Sequence, residues 1–156
     1  MALSNKKQEK KLWQQRLGLT VKETTPLICL DLQYFNYDLD LKDLMSGLQT
    51  LSAQFVCKQP HDEKILSCLG ETAVIAEADW PSLAKACDMT VFLSDDAHIS
   101  YNIRKCLQAS AVPVCLRLAE FVGAVEDYDP IEETGNAFLF DNCNKWEIFG
   151  AVARAL

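Results

Sequence analysis

The sequence predicts a three-layer α/β domain with a mostly parallel sheet. Three observations predict it. Short β-rich apolar runs alternate with helical patterns along the chain. The stretch Asp88–Arg117 reads strand, turn, helix, strand, which is one parallel βαβ unit. The chain has 156 residues, 49% hydrophobic and 24% charged, enough for one well-packed core and too few for two.

The elements follow in order. Residues 1–25 read as an N-terminal helix and linker. The helix spans Ser4–Leu17, with Leu12, Trp13 and Leu17 as apolar contacts, and Gly18 ends it. Pro26 opens a strand, Leu27–Leu32, and a long aromatic turn, Gln33–Asp38, follows. Leu41, Leu44, Met45, Leu48 and Leu51 recur at helical spacing, capped by Asp38 or Asp40. Ala53–Cys57 is a strand, Pro60–Leu69 holds a short helix ending at Gly70, and Thr72–Ala76 is a third strand. Trp80–Ala86 is a helix capped by Asp79, with Pro81 in its first turn. In the central unit Met89–Leu93 is a strand, and Ser94, Asp95 and Asp96 form the turn and cap. Ile99, Ile103, Cys106 and Leu107 mark a helix, and Val112–Leu116 is a second buried strand. Glu120–Asp129 is acidic and fits neither pattern. A short strand, Ala137–Phe140, follows the Gly135-Asn136 turn. Asn144 caps a last helix with Trp146, Phe149, Ala153 and Leu156 as its stripe.

Charge and cysteine usage narrow the function. A net charge of −7 argues against nucleic-acid binding, which needs a basic face. The basic cluster Lys6, Lys7, Lys10 and Lys11 reads as a solvated helix face. No apolar run approaches the roughly 18–20 residues of a membrane span, and no secretory signal is present. The number of cysteines is odd, seven, and five of them (Cys29, Cys57, Cys87, Cys106 and Cys115) sit in apolar runs. They read as small buried hydrophobes in a reducing cytoplasm. With only His61 and His98 beside them, no zinc-ligand pattern exists, so no metal or cofactor is expected.

Parallel units place ligands at strand-to-helix turns, here Ser94–Ser100. The six glycines avoid such turns, although phosphate cradles depend on glycine there. Asp95 and Asp96 read as caps rather than a catalytic carboxylate pair, and His98 as a surface histidine at a helix start. Arg104 and Lys105 read as solvent-facing. Tyr34, Phe35 and Tyr37 read as packing on the domain or on a partner in preference to a sugar platform.

Several runs carry a resemblance. NKKQEKKLWQQRLGL followed by TPLICL, then DLDLKDLMSGLQTLSAQFV, ACDMTVFLS, ASAVPV, AVEDYDP and TGNAFLFDNCNKWEIFGAVARAL occur in matching order and spacing. Together they resemble the C-terminal domain of bacterial glycogen synthases and plant starch synthases. The resemblance covers nearly all of residues 1–156, as one Rossmann-like domain, half of a GT-B glycosyltransferase. It implies an enzyme that transfers glucose from ADP-glucose to an α-1,4-glucan in a cleft between two such domains. It also implies further helices after Leu156, crossing back to the other domain.

The resemblance assigns donor-phosphate Arg and Lys positions to Leu32 and Tyr37. It places the donor-glucose Glu on Ala97 and that motif's Gly on Ser100. A Thr-Gly-Gly loop falls on Leu118, Ala119 and Glu120. Neither cation, the Glu nor the glycine pair is present, and Asp95, Asp96 and Glu120 oppose a diphosphate. Three readings follow. The chain is a scaffold or interaction domain that has lost catalysis, with weak or absent ADP-glucose binding. Alternatively it is a subunit completed by a separate donor-domain partner, or an unrelated α/β ligand-binding domain. In the first, the former interdomain face (Tyr34, Phe35, Tyr37, Asp95, Asp96 and His98) contacts a protein partner or a second copy.

Overall fold

The computed structural model describes residues 2–58, 60 and 62–156; His61 lies outside the described residues. Six strands form one fully parallel sheet: β1 Leu27–Asp31, β2 Gln54–Lys58, β3 Ala73–Ala76, β4 Met89–Phe92, β5 Val112–Leu116 and β6 Phe138–Phe140. Their order, β3-β2-β1-β4-β5-β6, is that of a doubly wound sheet whose winding reverses between β1 and β4. Every residue of β1 and β4 is buried, as central parallel strands require.

The helices are α1 Ala2–Arg16, α2 Leu41–Leu48, α3 Glu63–Leu69, α4 Trp80–Ala86, α5 Ser100–Gln108 and α6 Lys145–Ala155. Because side chains alternate along a strand, β1 sends Ile28 and Leu30 to one face and Leu27 and Cys29 to the other. The first face packs on α2, α3 and α6 through Leu44, Met45, Leu48, Leu69, Ile148 and Val152. The second packs on α1, α4 and α5 through Trp13, Leu83, Ile103 and Cys106. Local caps start these helices as the sequence predicts. Asp40 accepts the Asp43 N–H, Asp79 the Ser82 N–H, and Asn144 the N–H groups of Trp146 and Glu147. Asp96 instead caps a 3-10 turn, Ala97–Ile99, and α5 begins only at Ser100.

The N-terminal helix corrects one expectation. Lys6, Lys7, Lys10 and Lys11 do not form one solvated face. Lys10, only 6% exposed, lies on the inner stripe with Trp13 and Gln14. Its ammonium donates to the Asp88 carboxylate at 2.7 Å and to the Glu23 carbonyl at 3.0 Å. Asp88 in turn accepts the Leu27 N–H, and Gln14 donates to Gln54. Thus α1 seals the amino end of the sheet with a polar seam, while Leu12 faces outward. The five cysteines in apolar runs are all buried, and Cys68 and Cys143 are half-buried.

The acidic stretch after β5 is an irregular excursion. A 3-10 turn, Ala119–Phe121, leads to bridges from Asp127 to Ala137 and from Asp129 to Thr134. Gly135 turns it back toward β6 at φ 100°; a Cβ there would stand 2.5 Å from the Asp127 carbonyl oxygen. Only glycine tolerates that approach. Among the described residues no helix is long and apolar enough to cross a membrane.

Candidate functional site

In a parallel sheet, the strand-to-helix turns gather at the carboxyl end, and the reversal point between β1 and β4 is the natural ligand crevice. In this chain the two turns bordering it are bonded to each other. Asn36 donates its N–H to the Leu93 carbonyl at 3.1 Å. Its amide also donates to the Asp95 carboxylate at 3.2 Å. The Tyr34 ring stacks on His98 with centroids 5.4 Å apart, and Tyr34 holds a φ of 56°, rare for a non-glycine residue.

Below this contact lies Asp31, the last residue of β1 and only 4% exposed. Burial pushes its carboxyl pKa up, and two donors oppose that shift: the Gln33 N–H at 2.9 Å and the Asn102 amide at 3.0 Å. Asn102 also donates to the Gln33 side chain at 2.7 Å, so α5 is tied to the β1 turn.

Several backbone donors at the two turns are already occupied. Asp38 gives its N–H to Asn36, Asp96 to the Ser94 hydroxyl oxygen and His98 to the Asp96 carboxylate. The Asp96 carboxylate also meets the His98 ring at 2.5 Å. These contacts, the backbone N–H first, hold Asp96 below the usual carboxylate range.

Of the residues singled out from sequence, the structure thus joins Tyr34, His98 and Asp96 in one contact and bonds Asp95 to Asn36. Phe35 turns inward against the core. Tyr37 is 69% exposed and donates its hydroxyl to Asp62, which raises the phenol pKa. Leu32 packs half-buried on the core, and Ala97 opens the 3-10 turn. Leu118 lines a cavity of about 400 Å³ beside Phe121, Val125 and Leu139; Ala119 and Glu120 form the next turn.

Sequence reasoning passed over the cations at this end of the sheet. Arg117 pairs with Asp141 and Asp127, and these contacts raise its pKa. Lys145 pairs with Asp40 and Asp43, and Arg154 with Asp127. Lys58, at the tip of β2, and Lys64, in the first turn of α3, have no ion pair among the described residues. They border a groove of about 910 Å³ on the far side of the β1 turn. Lys58 ends a strand and Lys64 follows a cap, the one signal that could have marked them.

No family model matches the chain, and no curated protein sequence does. Among solved structures it is similar to the catalytic domain of starch synthase IV from Arabidopsis thaliana, bound to ADP and acarbose. The TM-score is 0.67 at 17% identity, over 96% of this chain and 34% of that one. The chain therefore spans about a third of that structure's length, and at this identity the likeness concerns the fold. The described residues have a three-layer, Rossmann-like α/β fold that matches one half of a GT-B fold.

Proposed function

We propose that this chain is a non-catalytic interaction domain built on one half of a GT-B glycosyltransferase, with the carboxyl end of its sheet as the contact surface. The observation that carries this reading is the closed reversal point. The Tyr34–His98 stack and the Asn36–Asp95 bond occupy the crevice, and the N–H groups of Gln33, Asn36, Asp38, Asp96 and His98 serve the chain itself. A diphosphate there would lack cations and would meet Asp95 and Asp96. Around the crevice, Tyr34, Tyr37, Tyr101, Val122 and Trp146 stay exposed at the turns and helix starts that follow the strands. Such a concentration of apolar side chains suits a protein partner.

Each missing charged contact to a phosphate is worth about 1.5–3 kcal/mol, so two weaken donor binding by roughly two to four orders of magnitude. The test is calorimetry with ADP-glucose and UDP-glucose, followed by radiolabel transfer onto glycogen. Neither binding nor transfer is expected; micromolar binding of either nucleotide sugar, or turnover by the chain alone, overturns the reading. Restoring Leu32→Arg, Tyr37→Lys and Ala97→Glu together is expected to recover no binding while the turns remain bonded to each other.

A second reading is favoured by the 34% share of the similar structure that this chain covers. In it, the chain is a subunit completed by a separate donor-domain partner, and donor binding then appears on mixing the two.

A further inference from the structure

At the carboxyl end of the sheet, exposed rings and an excess of acid share one surface. The turns after β1, β4 and β6, residues 32–40, 93–99 and 141–144, contain Asp38, Asp40, Asp95, Asp96 and Asp141 and no lysine or arginine. The His98 ring, Arg117 and Lys145 answer Asp96, Asp141 and Asp40. Asp38 and Asp95 are exposed and meet no cation among the described residues. The rings stand between these acids. Tyr34 stacks on His98, and Tyr37, next to Asp38, is 69% exposed. Trp146, in the first turn of α6, is 75% exposed. Lys145 lies 5.3 Å over its ring and also bonds Asp40, so the tryptophan adjoins the β1 turn.

Charge selects the occupant. Lys145 displays the chemistry that this surface takes, since its ammonium meets a ring and two carboxylates together. A guanidinium does the same more fully: it stacks on aromatic faces and meets carboxylates with a planar fork of donors. A second copy suits the surface poorly. Placed face to face, it would set these aspartates against their own duplicates, and like charges so placed repel. Placed head to tail, it would offer the cations of α1, of which Lys6 already donates to the Ala109 carbonyl, Lys7 pairs with Glu23 and Lys10 with Asp88.

Resting on the reading of this end as a contact surface, we propose that it docks a basic, arginine-bearing segment of a different protein. The guanidinium groups meet Asp38 and Asp95 and lie on Tyr34, Tyr37 and Trp146, and apolar side chains of the segment cover the remaining ring surface.

The test uses a capped peptide that alternates arginine with leucine, and the same peptide with glutamine or glutamate in place of arginine. Binding to the full chain is followed by ¹⁵N-edited NMR at low salt, with sedimentation of the chain alone beside it. The arginine peptide is expected to bind with a submillimolar Kd. It should shift the amides of residues 34–38 and 94–98 and the Trp146 indole, and leave those of α1 in place. The glutamine form is expected to bind about tenfold more weakly, and the glutamate form not detectably. Asp38→Asn with Asp95→Asn is expected to lose about fivefold for the arginine peptide and nothing for the glutamine peptide. Tyr37→Ser with Trp146→Ser is expected to lose about tenfold for both. Equal or tighter binding of the glutamine form at the same resonances overturns the basic partner and keeps the contact surface. Shifts confined to other faces, or no binding of any peptide at millimolar concentration, overturn the proposal at its base. Unchanged affinity in the aspartate variant also overturns it. Self-association of the chain at low salt gives the face to a second copy and does the same.

Discussion

Replacing Asn102 with leucine tests what ties α5 to the β1 turn. The two side chains are close in shape, so the change removes hydrogen bonds without opening a large void. Asn102 is 8% exposed and bonds both Asp31 and Gln33. A hydrogen bond to a charged group contributes about 1.5–3 kcal/mol. For a chain of this size each kcal/mol moves Tm by about 2–4 °C, so Asn102→Leu should lower Tm by about 3–12 °C.

The pH dependence separates this mechanism from simple packing. Burial raises the folded-state pKa of Asp31, and the Asn102 bond opposes that rise. A carboxyl with a raised folded pKa contributes its stability below the unfolded value, about 3.9. That contribution is lost as pH climbs through the folded value. Removing Asn102 raises the folded value further, so the deficit of the variant should deepen between pH 4 and pH 8. Calorimetric melts at both pH values, with Asp31→Asn as companion, measure it; Asp31→Asn should flatten the dependence. An equal deficit at both pH values would refute the electrostatic account, and no deficit at either would show that Asn102 does not hold Asp31.

Three further outcomes follow from the structure. Lys10→Met should cost about 1–3 kcal/mol, because Asp88 loses a buried charged donor; a Tm within a degree of the parent would show that the seam is energetically idle. Gly135→Ala should destabilise by more than about 1 kcal/mol, through its positive φ and the Cβ contact with the Asp127 carbonyl, and circular-dichroism melts would read the loss. Burial pushes the Cys57, Cys106 and Cys115 thiols up to about 12, so native labelling followed by mass spectrometry should modify Cys68 and Cys143 well before these three. Fast labelling of the three would mean that the core opens readily.

The fold was legible because its signals are local. The caps at Asp40, Asp79 and Asn144 act within three residues, and apolar periodicity marks the strands and α2 in place, but in α6 the buried stripe is Ile148, Ala151 and Val152 while Trp146, Ala153 and Leu156, expected there, are exposed. The polar seam under α1 was not legible, since Lys10 finds Asp88 78 residues away and a lysine read alone belongs in water.

The site divides along that line. Under the proposed function, the resemblance would put the donor's phosphate cations at Leu32 and Tyr37 and its glucose contact at Ala97, and that part of the reading rests on the sequence alone. The closure of the crevice could not be read there. It depends on Tyr34 meeting His98 and on Asn36 meeting Asp95, pairs brought together only when β4 lies beside β1. Under the proposed function the closure is the stronger barrier. A lost arginine removes one attraction, and substitution can return it. At the N–H groups that already serve Asp31, Leu93, Ser94 and Asp96, an incoming anion gains only the exchange of one hydrogen bond for another. Reopening the crevice therefore requires breaking the Tyr34 and Asn36 contacts as well as restoring charge. A variant that adds Tyr34→Gly and Asn36→Ala to the three charge restorations should bind ADP-glucose more tightly than the charge restorations alone. Equal, undetectable binding by both would place the barrier in the backbone of the turns.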